Sequence, residues 1–357
     1  MKKQLTIAVT GLNNIDSPGP GIPVIRALRD SQDFEVRVIG LSYETLEPGI
    51  YMHELVDHVY QIPFPKSGTE VIYGRMAYIN SLENIDFLFP NFDAELFNFI
   101  KLSERMEQEL GIKTCLPSVD QFESRHKVNL EEFGEKYGLK VPKSKMIFSP
   151  AEIQDLAQDF TYPMVVKGQF YDAHIAYNKG QVEAHFNKLA AKWGLPIVIQ
   201  EFVYGTEVNI VALGDGKGNT VGMVPMRKQY ITDKGKAWAG VSIDDQGLLD
   251  ECENLISQCK WKGGMELEYI KTSDDEYYLL EINPRFPAWV YLAVGCGQNL
   301  PEAAVKIALG ESVPKYTEYE VGKMFIRYSW DMIVDMKEFE EISTTGELGP
   351  KRKKRAS

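Results

Sequence analysis

The sequence predicts an α/β layer followed by a larger α+β unit, and three observations carry that prediction. β-rich runs alternate with helical runs over the first third of the chain, the pattern of a parallel sheet. From about Pro117 helices and strands mix differently, and antiparallel strands come to dominate. No segment approaches the ~18 consecutive apolar residues of a membrane span. At 357 residues the chain suits two or three packed domains. Boundaries are expected at 1–116 and 117–345, with a small lobe at about 140–205 and an antiparallel sheet at about 206–335, then a disordered basic tail over 346–357.

Each element has a local reason. QLTIAVTG is a β-rich run ending in glycine, PVIRALRDS is helical, and FEVRVIGL is a second strand. DHVYQIP and IDFLFPN follow as strands, and the helix around AELFNFIKLSERMEQELG stops at Gly111. These make a Rossmann-like sheet. GLNNIDSPGPG after the first strand does not match the GxGxxG dinucleotide pattern, so it reads as a Gly/Pro loop at the carboxyl end of a strand, where ligand crevices form. Next come a helix in VNLEEFGEKYG, a strand in VPKSKMIF, a helix in AEIQDLAQDF, a strand in PMVVKGQF, a helix in QVEAHFNKLAAKWG and a strand in LPIVIQEFVYG. EVNIVALG, TVGMVPMRKQ, GGMELEYIK and EYYLLEINP are antiparallel strands, PEAAVKIALGE is a helix, and GKMFIRYS is a last strand.

Net charge is −12, and KRKKRAS at the end carries +5, so the rest carries −17. Such a body repels phosphodiester backbones, which argues against nucleic-acid binding by it. The tail reads as a solvated end, with a weak, salt-sensitive contact to an anionic surface as the sharper alternative. Cys115, Cys252, Cys259 and Cys296 form no CxxC pair and have no histidine cluster, so neither zinc nor a disulfide framework is expected. MKKQLTIAVTGL mimics a secretion signal, but GLNNID cuts it short and no cleavage pattern follows. The expectation is a cytoplasmic protein.

The chemistry concentrates in GGMELEYIKTSDDEYYLLEINPRFPAW. It reads as a β-hairpin turning at Asp274 and Asp275, which sets Glu268 opposite Glu281 and Glu266 opposite Asn283. All four then share one face, with Leu267, Tyr269, Leu280 and Ile282 on the other. Opposed carboxylates repel. A hard cation such as Mg²⁺, which takes oxygen ligands and pairs carboxylates with phosphates, resolves the conflict. Arg285, two residues on, points toward the anions such a metal serves. The bland alternative is an exposed acidic hairpin. Lys167 ends an apolar strand and Lys127 opens a helix; each reads as a solvated lysine or a phosphate contact. Backbone groups at Phe202 and Val203 can read an adenine edge, and Glu207 can accept from ribose hydroxyls.

Taken together these residues resemble the ATP-grasp superfamily, its carbamoyl-phosphate-synthase-like and carboxylate–amine ligase members most of all. HKVNLEEFGEKYGLKVPKS resembles the family's lysine-led helix, PMVVKG its second lysine strand, QEFVYGTEVNI its hinge and ribose segment, and LLEINPR its metal strand. The resemblance implies a Rossmann-like domain followed by two α+β lobes that clasp ATP. It implies that Lys127 and Lys167 bind phosphates, Glu201, Phe202 and Val203 adenine, and Glu207 ribose. It also implies that Glu268, Glu281 and Asn283 bind Mg²⁺, and that Arg285, Arg227 and Lys228 act on the transferred phosphoryl group or acyl phosphate. The activity implied is ligation: a carboxylate takes the γ-phosphoryl group, ADP leaves, and an amine or other nucleophile captures the acyl phosphate. Small-molecule or peptide acids and amines are the implied partners, with a homodimer open. GQFYDAHIAYNKG departs from the family's glycine-rich lid, and His174 there is either an orienting group or a polar residue without chemistry. That departure keeps a catalytically silent ATP-binding sensor or scaffold in view, and a bicarbonate-dependent carboxylase stands behind it. Substrate contacts are expected from residues 11–21, from Asn91–Glu95 and from Trp238, which reads equally as a core aromatic.

Overall fold

The computed structural model describes residues 2–14, 18–168, 172–232, 235–329 and 331–349; the side chain of Lys127 also lies outside what is described. Phe170 and Tyr171 of the atypical lid segment and the KRKKR run fall outside as well.

The first layer is built from β1 (Lys3–Val9), α1 (Gly21–Arg29), β2 (Phe34–Ser42), β3 (His58–Gln61), α2 (Thr69–Glu83), β4 (Phe87–Phe89) and α3 (Asp93–Leu110). The strands lie parallel in the order β3-β2-β1-β4. The stretch that mimicked a secretion signal is the interior strand β1, fully buried at Ile7, Ala8 and Val9. Chain direction across the sheet reverses about β1, which opens a crevice at the carboxyl ends of β1 and β4. Gly21 brings the α1 N-terminus against that end, since a Cβ there would stand 2.1 Å from the Thr10 carbonyl oxygen.

Short helices α4 (Val119–Ser124) and α5 (Leu130–Tyr137) lead into the small lobe. Its strands are β5 (Ser144–Ile147), β6 (Met164–Lys167), β7 (Ala173–Ala176) and β8 (Ile197–Glu201), with α6 (Leu156–Asp159) and α7 (Lys179–Trp193). The sheet runs β5-β8-β6-β7, all antiparallel. α7 covers one face, where Met164, Val166, Ile197 and Ile199 meet Val182, Phe186 and Leu189 in a core of their own.

The large sheet takes β9 (Thr206–Asp215), β10 (Thr220–Ile231), β11 (Ala237–Ser242), β12 (Lys262–Lys271) and β13 (Tyr277–Asn283). Helix α8 (Gln246–Cys259) packs one face with α5, burying Trp261, Tyr269, Leu267 and Leu255. After β13 come α9 (Tyr291–Gly295), α10 (Leu300–Ala308), the edge strand β14 (Met324–Ile326), α11 (Met336–Thr345) and β15 (Glu347–Leu348). The large sheet reads β13-β12-β9-β10-β11-β14. Its other face shares a core with the first layer: Val211, Val224, Phe286 and Trp289 join Ile7, Val24, Leu28 and Phe87.

Two expectations change here. β15 pairs antiparallel with β3, Glu347 on Tyr60 and Leu348 on Val59, so the stretch from 346 to 349 is ordered against the first sheet and is no loose tail. Leu348 is 5 % exposed, which supplies the apolar anchor that the charge run masked. A β-bulge between Glu268 and Tyr269 shifts the hairpin register toward the turn, setting Tyr269 opposite Leu279. Leu279, rather than Leu280, is therefore the core residue.

Candidate active site

The chemistry-bearing face of the large sheet is the one turned away from α8. Glu266 faces Asn283 across β12 and β13, and Glu268 faces Glu281. On the other side of β12, Glu268 faces Asn209 and Ile270 faces Glu207. The same parity brings Lys228 of β10 over the group: its Nζ pairs with Glu207 and lies 3.5 Å from Glu268 Oε2. Burial opposes the Lys228 charge, yet the Glu268 and Glu207 carboxylates outweigh it and hold the ammonium well above its ordinary pKa.

Glu266, which the sequence left without a role, is the hub beneath the pair. Its Oε1 accepts from Trp289 Nε1 at 2.6 Å and from Asn209 Nδ2 at 3.1 Å, and its Oε2 accepts from Asn283 Nδ2 at 3.0 Å. Asn283 Nδ2 also reaches Glu268 Oε1 at 3.3 Å, so the amide nitrogen is committed and the Oδ1 oxygen turns the other way. Burial, with the Glu268 charge behind it, pushes the Glu266 carboxyl up to about 7. Four carboxylates, Glu207, Glu266, Glu268 and Glu281, thus crowd one face, with Lys228 paired to two of them and Arg285, Arg125 and Arg327 within electrostatic reach of the others. No grouping of three His, Cys, Asp or Glu side chains forms a ready cage among the described residues. The donors present are two carboxylates, Glu268 and Glu281, and one amide oxygen, an open all-oxygen set that suits Mg²⁺ shared with phosphate.

Arg285 is largely buried and bound from the first layer: its Nη2 and Nε donate to Asp93 Oδ2 at 2.7 and 3.1 Å. Arg125 lies near the same carboxylate and near Glu281, with burial lowering its pKa. Arg327, beyond β14, is lowered to about 10 by burial, with the Glu266 charge opposing the shift. Sequence reasoning missed Arg125 and Arg327, and it named Asp93 only within the Asn91–Glu95 stretch expected to touch substrate, because sequence distance from the hairpin hides these contacts.

Arg227 does not join Lys228. Adjacent strand residues point to opposite faces, and Arg227 lies exposed on the α8 side, in a cleft with Val208, Asp244, Asp245 and Lys271. The small lobe carries Lys167 at the end of β6, opposite in facing to the core residues Met164 and Val166, hence on the helix-free face. Glu201 ends β8, its carboxylate accepting the Lys143 backbone N–H at 3.2 Å. Phe202 and Val203 form the link to β9, half-buried, with Phe202 edge-on to Tyr204. His174 pairs with Val166 and stacks on His185 of α7, so it shares the covered face and turns away from Lys167. Asn91 and Glu95 are likewise committed internally, to Thr10, Phe89 and Tyr43. Trp238 is half-buried in β11.

Residues 195–328 match the family model described as ATP-grasp in the biosynthetic pathway with Ter operon. The chain also superposes on N5-carboxyaminoimidazole synthetase from Staphylococcus aureus complexed with ADP, with a TM-score of 0.69 at 14% identity over 91% of this chain and 82% of that one. The chain has the ATP-grasp fold. A second structural neighbour is the biotin carboxylase domain dimer of Hydrogenobacter thermophilus 2-oxoglutarate carboxylase, solved with MgADP, ADP and bicarbonate (TM-score 0.67, 15% identity, 89% and 73% covered). Among sequence relatives, the arginine-specific carbamoyl phosphate synthase large chain of Bacillus subtilis is 24% identical over 338 residues, 88% of this chain. This chain spans about a third of that relative's length, 31%. No described helix is long and apolar enough to cross a membrane.

Proposed function

We propose that this ATP-grasp protein is an ATP- and Mg²⁺-dependent ligase, activating a carboxylate as an acyl phosphate for capture by an amine or other nucleophile and releasing ADP and phosphate. The observation that carries the reading is the cross-strand Glu268–Glu281 pair with Asn283 beside it, three oxygen donors gathered at one place on the large sheet. Glu268, Glu281 and the Asn283 oxygen would hold Mg²⁺, which, when bound with ATP, would neutralise charge on the transferred phosphoryl oxygens. Lys228 would keep Glu207 and Glu268 from repelling one another and present a fixed cation on that face. Arg285 would steady negative charge as the phosphoryl group passes to the acid. Lys167 and the Lys127 turn would bind phosphates, Glu201, Phe202 and Val203 the adenine, and Glu207 the ribose. With the small lobe closed, water would be kept from the acyl phosphate. The carbamoyl phosphate synthase and carboxyaminoimidazole synthetase relatives support an ADP-forming C–N ligation.

The test is a screen of amino acids, peptides and small acids, bicarbonate among them, for Mg²⁺-dependent ADP release, with ¹⁸O in the carboxylate. Transfer of ¹⁸O into phosphate is the expected result. MgATP binding without label transfer under any pairing would show a silent nucleotide-binding module instead.

A further inference from the structure

The guanidinium of Arg285 is anchored from a different layer of the protein, and the anchor has its own support. Asp93 is the first residue of α3, and its Oδ2 alone takes both Nε and Nη2 of Arg285, 192 residues away. Nη1 donates to the Phe286 carbonyl at 3.3 Å, and Nη2 lies 3.5 Å from Asn283 Oδ1. A guanidinium has five N–H groups. Four are thus directed at Asp93, Phe286 and Asn283, which leaves one, on Nη1.

Asp93 is in turn fixed from both sides. Asn91, 2 % exposed, donates its Nδ2 to the carbonyls of Thr10 and Phe89 at 3.1 Å, tying the segment to the ends of β1 and β4. Glu95 takes the backbone N–H groups of Asn91 and Phe92 at 2.8 and 3.0 Å and the hydroxyls of Thr10 and Tyr43. The carboxylate between them therefore has little freedom. Although partial burial opposes its charge, the Arg285 cation holds it below the usual carboxylate range. Its other oxygen, Oδ1, is buried and has no hydrogen-bond partner among the described residues. A surface ion pair would not need this scaffolding.

We propose that Asp93 is a positioning residue of the reaction site: it orients Arg285 across the mouth of the β12–β13 hairpin, so that phosphoryl transfer depends on a carboxylate supplied by the N-terminal sheet. This rests on the ligase reading above. The role assigned to Asp93 is exercised through Arg285, to which it is hydrogen-bonded.

The experiment uses full-length protein with MgATP as the probe and ADP release as the readout, comparing wild type, Asp93→Asn, Asp93→Glu, Arg285→Gln and the Asp93→Asn/Arg285→Gln double variant. Circular dichroism confirms folding, and equilibrium dialysis gives MgADP affinity. Asp93→Asn is expected to lower kcat by at least about tenfold while KM for MgATP and MgADP affinity stay within about twofold. Asp93→Glu regains part of the loss. The double variant loses no more than Arg285→Gln alone, because the two groups work as one unit. Wild-type kcat in Asp93→Asn, losses that multiply in the double variant, or a kcat loss matched by weakened MgADP binding would each overturn the proposal. Failure of the ligase reading looks different: wild type would bind MgADP and release no ADP. In that case the Arg285 Nε–H signal in ¹⁵N-edited NMR decides the anchor by itself. A resolved, solvent-protected signal that Asp93→Asn abolishes retains it, and a signal the variant leaves unmoved removes it.

Discussion

Lys228 is only 9 % exposed and stands among carboxylates that would otherwise face each other unshielded. Replacing it with methionine leaves Glu207 and Glu268 in mutual repulsion, so the metal-free protein is expected to lose roughly 2–4 kcal/mol, read as a lower urea midpoint that added Mg²⁺ partly restores. Arg227→Ala, one residue away but on the opposite face, is expected to leave ADP release within about twofold of wild type. A drop as large as that of Lys228→Met would place Arg227 back in the site. Glu281→Ala is expected to abolish ADP formation while the far-ultraviolet spectrum stays that of a folded protein; near-normal turnover would refute the metal assignment. At this scale the sequence was informative where residues are close along the chain. Glu266, Glu268, Glu281 and Asn283 could be paired from strand period and turn position alone. Asp93, Arg125 and Arg327 could not, since a contact across 192 residues leaves no local pattern. Arg227 was misplaced for a plainer reason: Lys228 took the site-facing position, and strand parity forbids its neighbour the same one.

The β12–β13 hairpin shows what an element's sequence can and cannot set. Polar alternation places Glu266 and Glu268, but the bulge after Glu268 comes from backbone fit and changes which leucine enters the core. At the other end of β12, Gly263 has φ +96°, and a Cβ would lie 2.3 Å from the Cys115 carbonyl oxygen. Gly263→Ala combines a left-handed backbone with a backbone clash, so a loss of about 2–4 kcal/mol is expected. Equilibrium unfolding in urea checks it, and a variant as stable as wild type would mean the strand start can slide. Helices α2, α4, α8, α9 and α11 were not read from the sequence. In α2 only Ile72, Met76, Ile79 and Glu83 are buried, a stripe diluted by the exposed Val71 and Tyr78. α8 follows a loop of mixed polarity, and its N-cap, Asp245, also takes Lys271 and Tyr277, so the capping signal looks like an ordinary acidic turn.

Across the whole molecule, the alternation of strands and helices gave the layer order, and the shift to antiparallel strands gave the second unit. The return of β15 to the first sheet was invisible because its two paired residues precede a charge run. Burial drives three carboxyls up to about 7: Glu47 near β2, Glu251 in α8 and Glu266 in the site. An acid whose folded pKa is raised binds more protons folded than unfolded, so its contribution is fully present below about 4.5 and fades as pH rises through 7. The metal-free protein is therefore expected to lose melting temperature between pH 5 and 8. Glu47→Gln flattens that slope, since the amide oxygen can still accept from the Tyr43 and Glu44 backbone N–H groups at 2.7 and 3.0 Å. An equally steep slope in the variant would assign the effect to other groups. The separate core of the small lobe, set apart from the one that joins the first layer to the large sheet, has a consequence for how the protein comes apart. Two cores that share no buried cluster need not melt as one cooperative unit. A differential scanning trace should show two endotherms without nucleotide, which merge when a ligand gripped by both lobes makes the loss of either cost the energy of the grip.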